Sequence, residues 1–438
     1  MTNQLSLSLY DELISSFEEM DTADKTGVLL NAREKGIKSF KNSGFPTRRN
    51  EEWKYTNITP YLQEKYSFIN IETATSDDVL VAKAQIPHLD AYQLVVVNGR
   101  LHTSENIGLP SFIKVQPISE AQKTEAFSSY FSKGTDVEQF PFSALNTALF
   151  NDGLFIEVAE NQILDKPLHV VHVFTAGNDN LFVQPRHLVV VRKSAHLNLI
   201  ESIVSKSSDS KIFVNTLTEV FLEENAACDH YVLQTAESGT RLVTATEVSQ
   251  LRHSTYSNYT FSLPSADIIR NNLHMSLNDK ETETHLFGLY LGAGKQLIDN
   301  HSLVNHKMPH CNSNEIYKGV LTENSVGVFN GKIYVQPDAQ KTNAFQQNNN
   351  LLLSNKATIN SKPQLEIFAD DVKCSHGSTV GQLSKEAMFY LRSRGIGEEA
   401  ARALLVNAFA FDVTEKIKLP ELEQHINHLI AAHIPVNK

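Results

Sequence analysis

The sequence predicts a mainly β protein in which a long central run of short strands lies between helical segments at either end. Three observations predict it. Apolar residues at helical spacing are confined to the two ends of the chain. From about residue 145 short alternating segments take over. The later segments begin about every 13 to 16 residues, with few tight-turn signals between them. Composition agrees, since 41% hydrophobic and 20% charged residues are ordinary for a folded globular chain. A length of 438 residues corresponds to about three average domains, or to fewer if the β region is one large unit.

Near the start, Leu13, Phe17 and Met20 recur at helical spacing, and Leu29, Leu30 and Ala32 continue after a cap-like Asp21 and Thr22. Gly44 and Pro46 end this segment. The stretch Arg48 to Tyr55 follows and holds the only tryptophan, Trp53, which is expected to anchor the helical region while its charged neighbours face solvent. Strands are expected over Leu154 to Val158, Leu168 to Phe174 and Phe213 to Leu222, with later starts near Cys228, Ser254, Asp267, Thr282, Gln296, Asn312 and Ser325. The repeat is one of length and not of sequence, so it permits a sandwich, a barrel or a solenoid with two strands per coil. Asp152-Gly153 and Asn330-Gly331 are the clear hairpin signals, and their scarcity favours a parallel β-helix. After Gly381 the helical pattern returns. Ser384 can cap a segment that closes near Gly395, and Ala401, Leu404, Leu405, Ala408 and Phe409 form an apolar stripe. Pro420 opens a last helix with Leu422, Ile426, Leu429, Ile430 and His433 on one face. The expected domains are 1–144, mainly helical with short strands, 145–382, the β core, and 383–438, helical.

A formal net charge of -11 opposes nucleic acid and anionic membrane surfaces as partners. No apolar run approaches the roughly 18 residues of a membrane span. Residues 1 to 20 carry Asp11, Glu12, Glu18 and Glu19 and lack the pattern of a secretory leader, so no export is expected. Cys228, Cys311 and Cys374 are too few for a disulfide framework, and a reducing, cytoplasmic setting fits them.

Two glycine-lysine segments, Gly292 to Gln296 and Gly327 to Ile333, fail the phosphate-loop pattern because neither has four residues between its glycines with Ser or Thr after the lysine. Both read as turns. His301, His306, His310 and Cys311 supply imidazole and thiolate donors, but their spacing matches no standard metal site and a structural origin is favoured. In Asp370 to Gly377, Cys374 and His376 lie two residues apart. On an extended strand they share a face, so both could meet one iron or sulfide, with Lys373 favouring the thiolate. No nucleophile elbow, CxxC pair or HExxH helix is present.

The segments Asn348 to Leu353, Lys362 to Ile367, Ala369 to Gly377 and Phe389 to Gly395 resemble the SufB/SufD family, in its SufD branch. Glu51-Glu52-Trp53-Lys54-Tyr55, Asn305-His306, Cys311-Asn312-Ser313 and Val328 to Gly331 add to the likeness, which covers nearly the whole chain. The SufB branch typically has a Glu-His-Glu type sequence where this chain has Cys374-Ser375-His376-Gly377. The resemblance implies a right-handed parallel β-helix between helical domains, pairing with a SufB-like subunit, and a SufC ATPase docked on the C-terminal domain. It implies a non-catalytic scaffold of the SUF iron-sulfur cluster assembly system, with nucleotide hydrolysis left to SufC. His376 matches a histidine at the SufB interface, where a transient iron-sulfur cluster is proposed to form. Cys374 and Cys311 are weaker carry-overs as cluster or metal ligands. No stably bound cofactor is expected, and the isolated chain could pair with itself as a homodimer.

Two other classes compete. A carbohydrate-active enzyme on a β-solenoid would use carboxylates and basic residues along an exposed groove, and export would normally accompany it. A purely structural partner would carry no cluster ligand at all.

Overall fold

Strands such as Leu168–Thr175 and Arg186–Val191 are rich in Val and Leu and buried on both faces, the pattern of parallel strands covered on each side. In the computed structural model, which describes residues 8–20, 27–68, 77–102, 108–207 and 209–433, these strands coil into a parallel β-solenoid. The expected cap at Asp21 and Thr22 lies outside the described residues. Two sheets face each other. One runs through Arg186–Val191, Ile212–Leu222, Thr240–Gln250, Ile268–Leu277, Leu297–His306 and Val326–Val335. The other runs through Leu168–Thr175, His196–Lys206, Ala227–Gln234, Thr255–Ser262, Glu283–Gly292, Asn312–Leu321, Asn343–Leu352 and Lys373–Gly381.

In that second sheet Ala227, Thr255, Glu283, Asn312, Asn343 and Lys373 stand in register, 28 to 31 residues apart. Half of that interval is the spacing legible in the sequence, because each coil contributes one strand to each sheet. The start of the solenoid is closed by two antiparallel pairings, Ile113–Pro117 with Leu154–Val158 and Tyr92–Val97 with Arg100–Leu101. Among the described residues nothing pairs with the far end. Its last strand, Lys373–Gly381, is exposed along most of its length.

The three largest apolar cores follow from the alternation of each strand. Inward residues, among them Val170, Leu199, Val214, Leu242, Leu286 and Phe329, fill the space between the sheets. Outward residues of the first sheet, Phe182, Phe213, Val243 and Ile268, are covered by Leu13, Phe40, Trp53, Phe142 and Leu145 from the N-terminal region. Outward residues of the second sheet, Ile200, Tyr231, Tyr259 and Phe287, are covered by Val406, Ala410 and Val413 of the helix Glu398–Thr414 and by Leu422, Ile426 and Ile430 of the helix Pro420–His433. Tyr231 and Tyr259 stack with ring centroids 4.4 Å apart. The buried stripe on Glu398–Thr414 therefore differs from the expected one, and Leu404 is half exposed.

Trp53 is buried as expected, but its charged neighbours are not merely solvated. Arg270 lies 3.7 Å over the indole and pairs with Asp299 at 2.5 Å. His301 contacts Asp299 at 2.9 Å and Glu52 at 3.2 Å, and Asn330 donates to Glu52 at 2.7 Å. This network fastens the Glu51–Trp53 turn to the sheet, so His301 has a structural part. The two glycine-lysine segments separate here. Gly294 sits in a turn with φ of 62°, whereas Gly327 to Ile333 lies wholly within the strand Val326–Val335. Among the described residues no helix is long and apolar enough to cross a membrane.

Candidate functional site at the open end of the solenoid

Alternation on the last strand decides what its residues face. Cys374 is in register with the buried Ala344 and packs toward Ile333, Val335 and Ala339, so positions 374, 376, 378 and 380 form the inward row. His376 stands two residues on, exposed at the uncovered end. The strand thus carries Cys374 and His376 on one side, at a free sheet edge. Burial pushes the Cys374 thiol up, with a small opposing contribution from the Ala344 backbone. Lys373 points to the other face and does not enter that balance.

Cys311 lies elsewhere. It immediately precedes the strand Asn312–Leu321, which is separated from Lys373–Gly381 by the strand Asn343–Leu352. At the usual ~4.8 Å between neighbouring strands, the two cysteines stand about 10 Å or more apart along the solenoid axis. Cys311 is fully buried in the interior core, donates its thiol to the Asp279 carbonyl at 3.3 Å, and is pushed up in pKa by burial. His306 is also interior, where its Nε2 lies 2.9 Å from the Ser313 hydroxyl and burial pushes it down to about 4. His310 is on the exposed turn between the two strands, with φ of 62°.

Below the open end the interior is unusually polar. His376 follows Gln346, Glu315, Leu286, Asn258, His230 and Leu199 in one in-register column, each on the next strand of the sheet. Glu315 is enclosed, accepts a hydrogen bond from the Gln346 amide at 2.7 Å and has the Ser302 hydroxyl against it. Burial without a cationic partner pushes its carboxyl up to about 7, while Ser302 and Gln346 pull it down. Gly331 makes this arrangement possible, because a Cβ there would stand 2.2 Å from the Gln346 Nε2.

Deeper in, toward the closed end, lies a second polar group. Glu201 accepts from His172 Nε2 at 2.9 Å and from His230 Nε2 at 2.7 Å, and Tyr256 donates its hydroxyl to His230 Nδ1 at 2.9 Å. Burial would raise the Glu201 carboxyl, but the two histidine hydrogen bonds outweigh it and hold the group well below its ordinary value. Donor atoms of His172, His187 and Glu201 all lie within 4.8 Å of one another, a spacing compatible with one metal ion. Hydrogen-bond polarity argues for a different occupant. His187 Nδ1 accepts the Leu154 N–H at 3.1 Å, which leaves the proton of the neutral ring on Nε2, and Nε2 has no partner. Ligation through that nitrogen would require giving up the Leu154 bond. A water accepting a hydrogen bond from Nε2–H and donating to Glu201 would leave the Leu154 bond intact.

Sequence reasoning missed His172, His187, Glu201, His230, Glu315 and Gln346. Their spacing holds no motif. The available signal was polar residues at alternate positions of otherwise apolar strands, and it becomes informative only when the inward face is known.

Comparison with known proteins adds two findings. Residues 173–409 match the family described as SUF system FeS cluster assembly, SufBD core domain, and residues 5–170 match the SufBD protein N-terminal region. The chain is 31% identical to a SufBD-family iron-sulfur cluster assembly protein of Synechocystis, over 98% of this chain and 97% of that protein. It is 29% identical to iron-sulfur cluster assembly protein SufD of Escherichia coli, over 91% and 92% of the two chains, and 24% identical to the SufD protein of Bacillus subtilis, over 98% and 99%.

Proposed function

This chain belongs to the SufBD family of SUF-system iron-sulfur cluster assembly proteins, and we propose that it is a non-catalytic scaffold subunit of the SufD kind, which pairs with a SufB-like chain and a SufC-like ATPase. The observation that carries this reading is the uncovered last strand, Lys373–Gly381, which presents His376 and Cys374 at a free sheet edge. An unpaired edge of a parallel sheet offers backbone donors and acceptors to a second solenoid laid against it. A partner cysteine brought to that edge would meet the His376 imidazole, and thiolate with imidazole suits iron. The cluster is cargo here, built at the joint and passed on. Family membership favours this role over a carbohydrate-active solenoid.

The C-terminal helices fit a separate docking role. Phe389 is 74% exposed and Tyr390 58%, on a helix, Lys385–Ser393, that buries none of its residues. That helix borders a groove of about 760 Å³ lined by Leu352, Met388, Phe389, Arg392 and Arg402. An exposed aromatic pair beside an open groove is the kind of surface a partner protein covers. We assign it to the ATPase.

The test is co-expression of the tagged chain with SufB-like and SufC-like partners and purification without oxygen. His376→Ala should leave subunit stoichiometry unchanged and lower iron and sulfide content several-fold, whereas Cys374→Ser should matter less. Full cluster content in the His376 variant would remove that residue from the proposal, and failure to recover either partner would remove the scaffold reading.

A further inference from the structure

Three buried polar atoms without partners cluster directly beneath the open end. They are Glu315 Oε1, Gln346 Oε1 and Ser302 Oγ. The Ser302 hydroxyl lies against the Glu315 carboxyl and helps to lower its pKa, although its oxygen is left without a well-formed hydrogen bond. Orphaned polar atoms in a protein interior are rare, and a group of three, two on adjacent strands and one facing them from the opposite sheet, calls for an occupant. The occupant must reach a carboxyl, an amide oxygen and a hydroxyl at once, which water does as both donor and acceptor. The groups facing Glu315 carry no charge to hold it ionised. Leu286 and Gln346 flank it in the sheet, Ser302 faces it across the interior, Tyr317 lies two residues along its own strand, and the nearby His306 is engaged with Ser313. The column then leads outward, from Glu315 to Gln346 to His376, one strand at each step.

We propose that Glu315 is an internal proton acceptor for the His376 edge, linked to it by water held among Ser302, Gln346 and the carboxyl. This rests on the reading that iron and sulfur meet at His376. A thiol or hydrosulfide must lose its proton to ligate iron. As the sulfur–iron bond forms, one proton leaves sulfur at the edge, passes inward through water, and turns the Glu315 carboxylate into a carboxylic acid. No electrons move in this step. A carboxyl that changes charge near neutral pH suits it, since it is partly ionised before the step and can hold the proton afterwards. His376 stands at the edge where iron is bound, and Glu315 acts behind it.

The experiment uses the full chain alone, with infrared difference spectroscopy of the protonated carboxyl band and Glu315→Gln to identify the band. The band should persist above pH 6 and vanish with a midpoint near 7. Transfer into heavy water should shift it rapidly in the wild type and at least tenfold more slowly in Gln346→Leu, where the amide link to the edge is replaced by an apolar plug. The same variant should raise the midpoint, because the Gln346 hydrogen bond lowers it. A carboxyl already fully ionised at pH 5, or an exchange rate that Gln346→Leu leaves unchanged, would overturn the proposal. Should Glu315→Gln fail to fold, the wild-type band and its response in Gln346→Leu still decide. No partner or cluster enters these measurements, so they can fail while cluster content still depends on His376, and the reverse.

Discussion

Asp299 shows how much a single buried charge fixes. Burial would raise its carboxyl, but Arg270 first and His301 second hold it at about 2. Asp299→Ala leaves Arg270 buried over Trp53 with its main counter-charge gone. Breaking such a pair costs about 3–5 kcal/mol, readable as a drop in the urea midpoint. Three interior or near-interior histidines set a wider pH dependence. Burial pushes His169 and His306 down to about 4 and His187 to about 3, so each stays neutral in the fold. Their contribution is fully present above the unfolded value of about 6.5 and is lost as pH falls toward the folded values. Glu315 has the opposite sign. Its pKa is raised, so its contribution is full below an unfolded value of about 4.5 and is lost as pH rises through 7. Three groups outweigh one, so unfolding free energy should rise from pH 5 to pH 7, and Glu315→Gln should steepen that rise. A flat profile in the wild type, or no steepening in the variant, would contradict the assignment. None of these shifts was legible in the sequence. A glutamate between Asn314 and Ile316 reads as an ordinary strand residue, because strands covered on both faces do not announce which face is inside.

At the scale of elements, the terminal helices do two jobs at once. Removing everything after Leu383 would strip the cover from Tyr231, Tyr259 and Phe287 as well as remove any docking surface, so truncation cannot separate stability from partner binding. Substitution on the exposed helix can. Phe389→Ser with Tyr390→Ser should leave thermal stability within about 0.5 kcal/mol, as surface changes do, and reduce ATPase copurification at least tenfold. Undiminished copurification would place the ATPase elsewhere. Asp152-Gly153 illustrates a signal read correctly as special and wrongly as a hairpin. Gly153 precedes the strand Leu154–Val158, and a Cβ there would stand 1.4 Å from the Arg186 carbonyl oxygen. Gly153→Ala cannot be absorbed by a side-chain shift, so soluble yield should collapse; a folded, stable Gly153→Ala chain would refute that packing. The caps at Ser384 and Pro420 were legible because they depend on neighbours in sequence, whereas the buried face of Glu398–Thr414 depends on the sheet it meets.

For the whole molecule, the recurrence of strand starts was enough to favour a solenoid, because a coil with one strand per sheet repeats its length even when its residues differ. Closure at one end and not at the other left no trace in that recurrence. The free edge gives a testable expectation: without partners, the chain should dimerise through Lys373–Gly381, and Val380→Lys should shift it toward monomer in light scattering at matched concentration. A wild type that stays monomeric at every concentration would reject this use of the edge. The same asymmetry acts during synthesis. Each coil is templated by the one before it, and the ribosome delivers the closed end first. The strand that bears His376 therefore emerges after most of the chain and settles last. A nascent or prematurely terminated chain exposes an earlier strand that lacks His376, so competence to join a partner through this edge reports that translation has passed Lys373–Gly381.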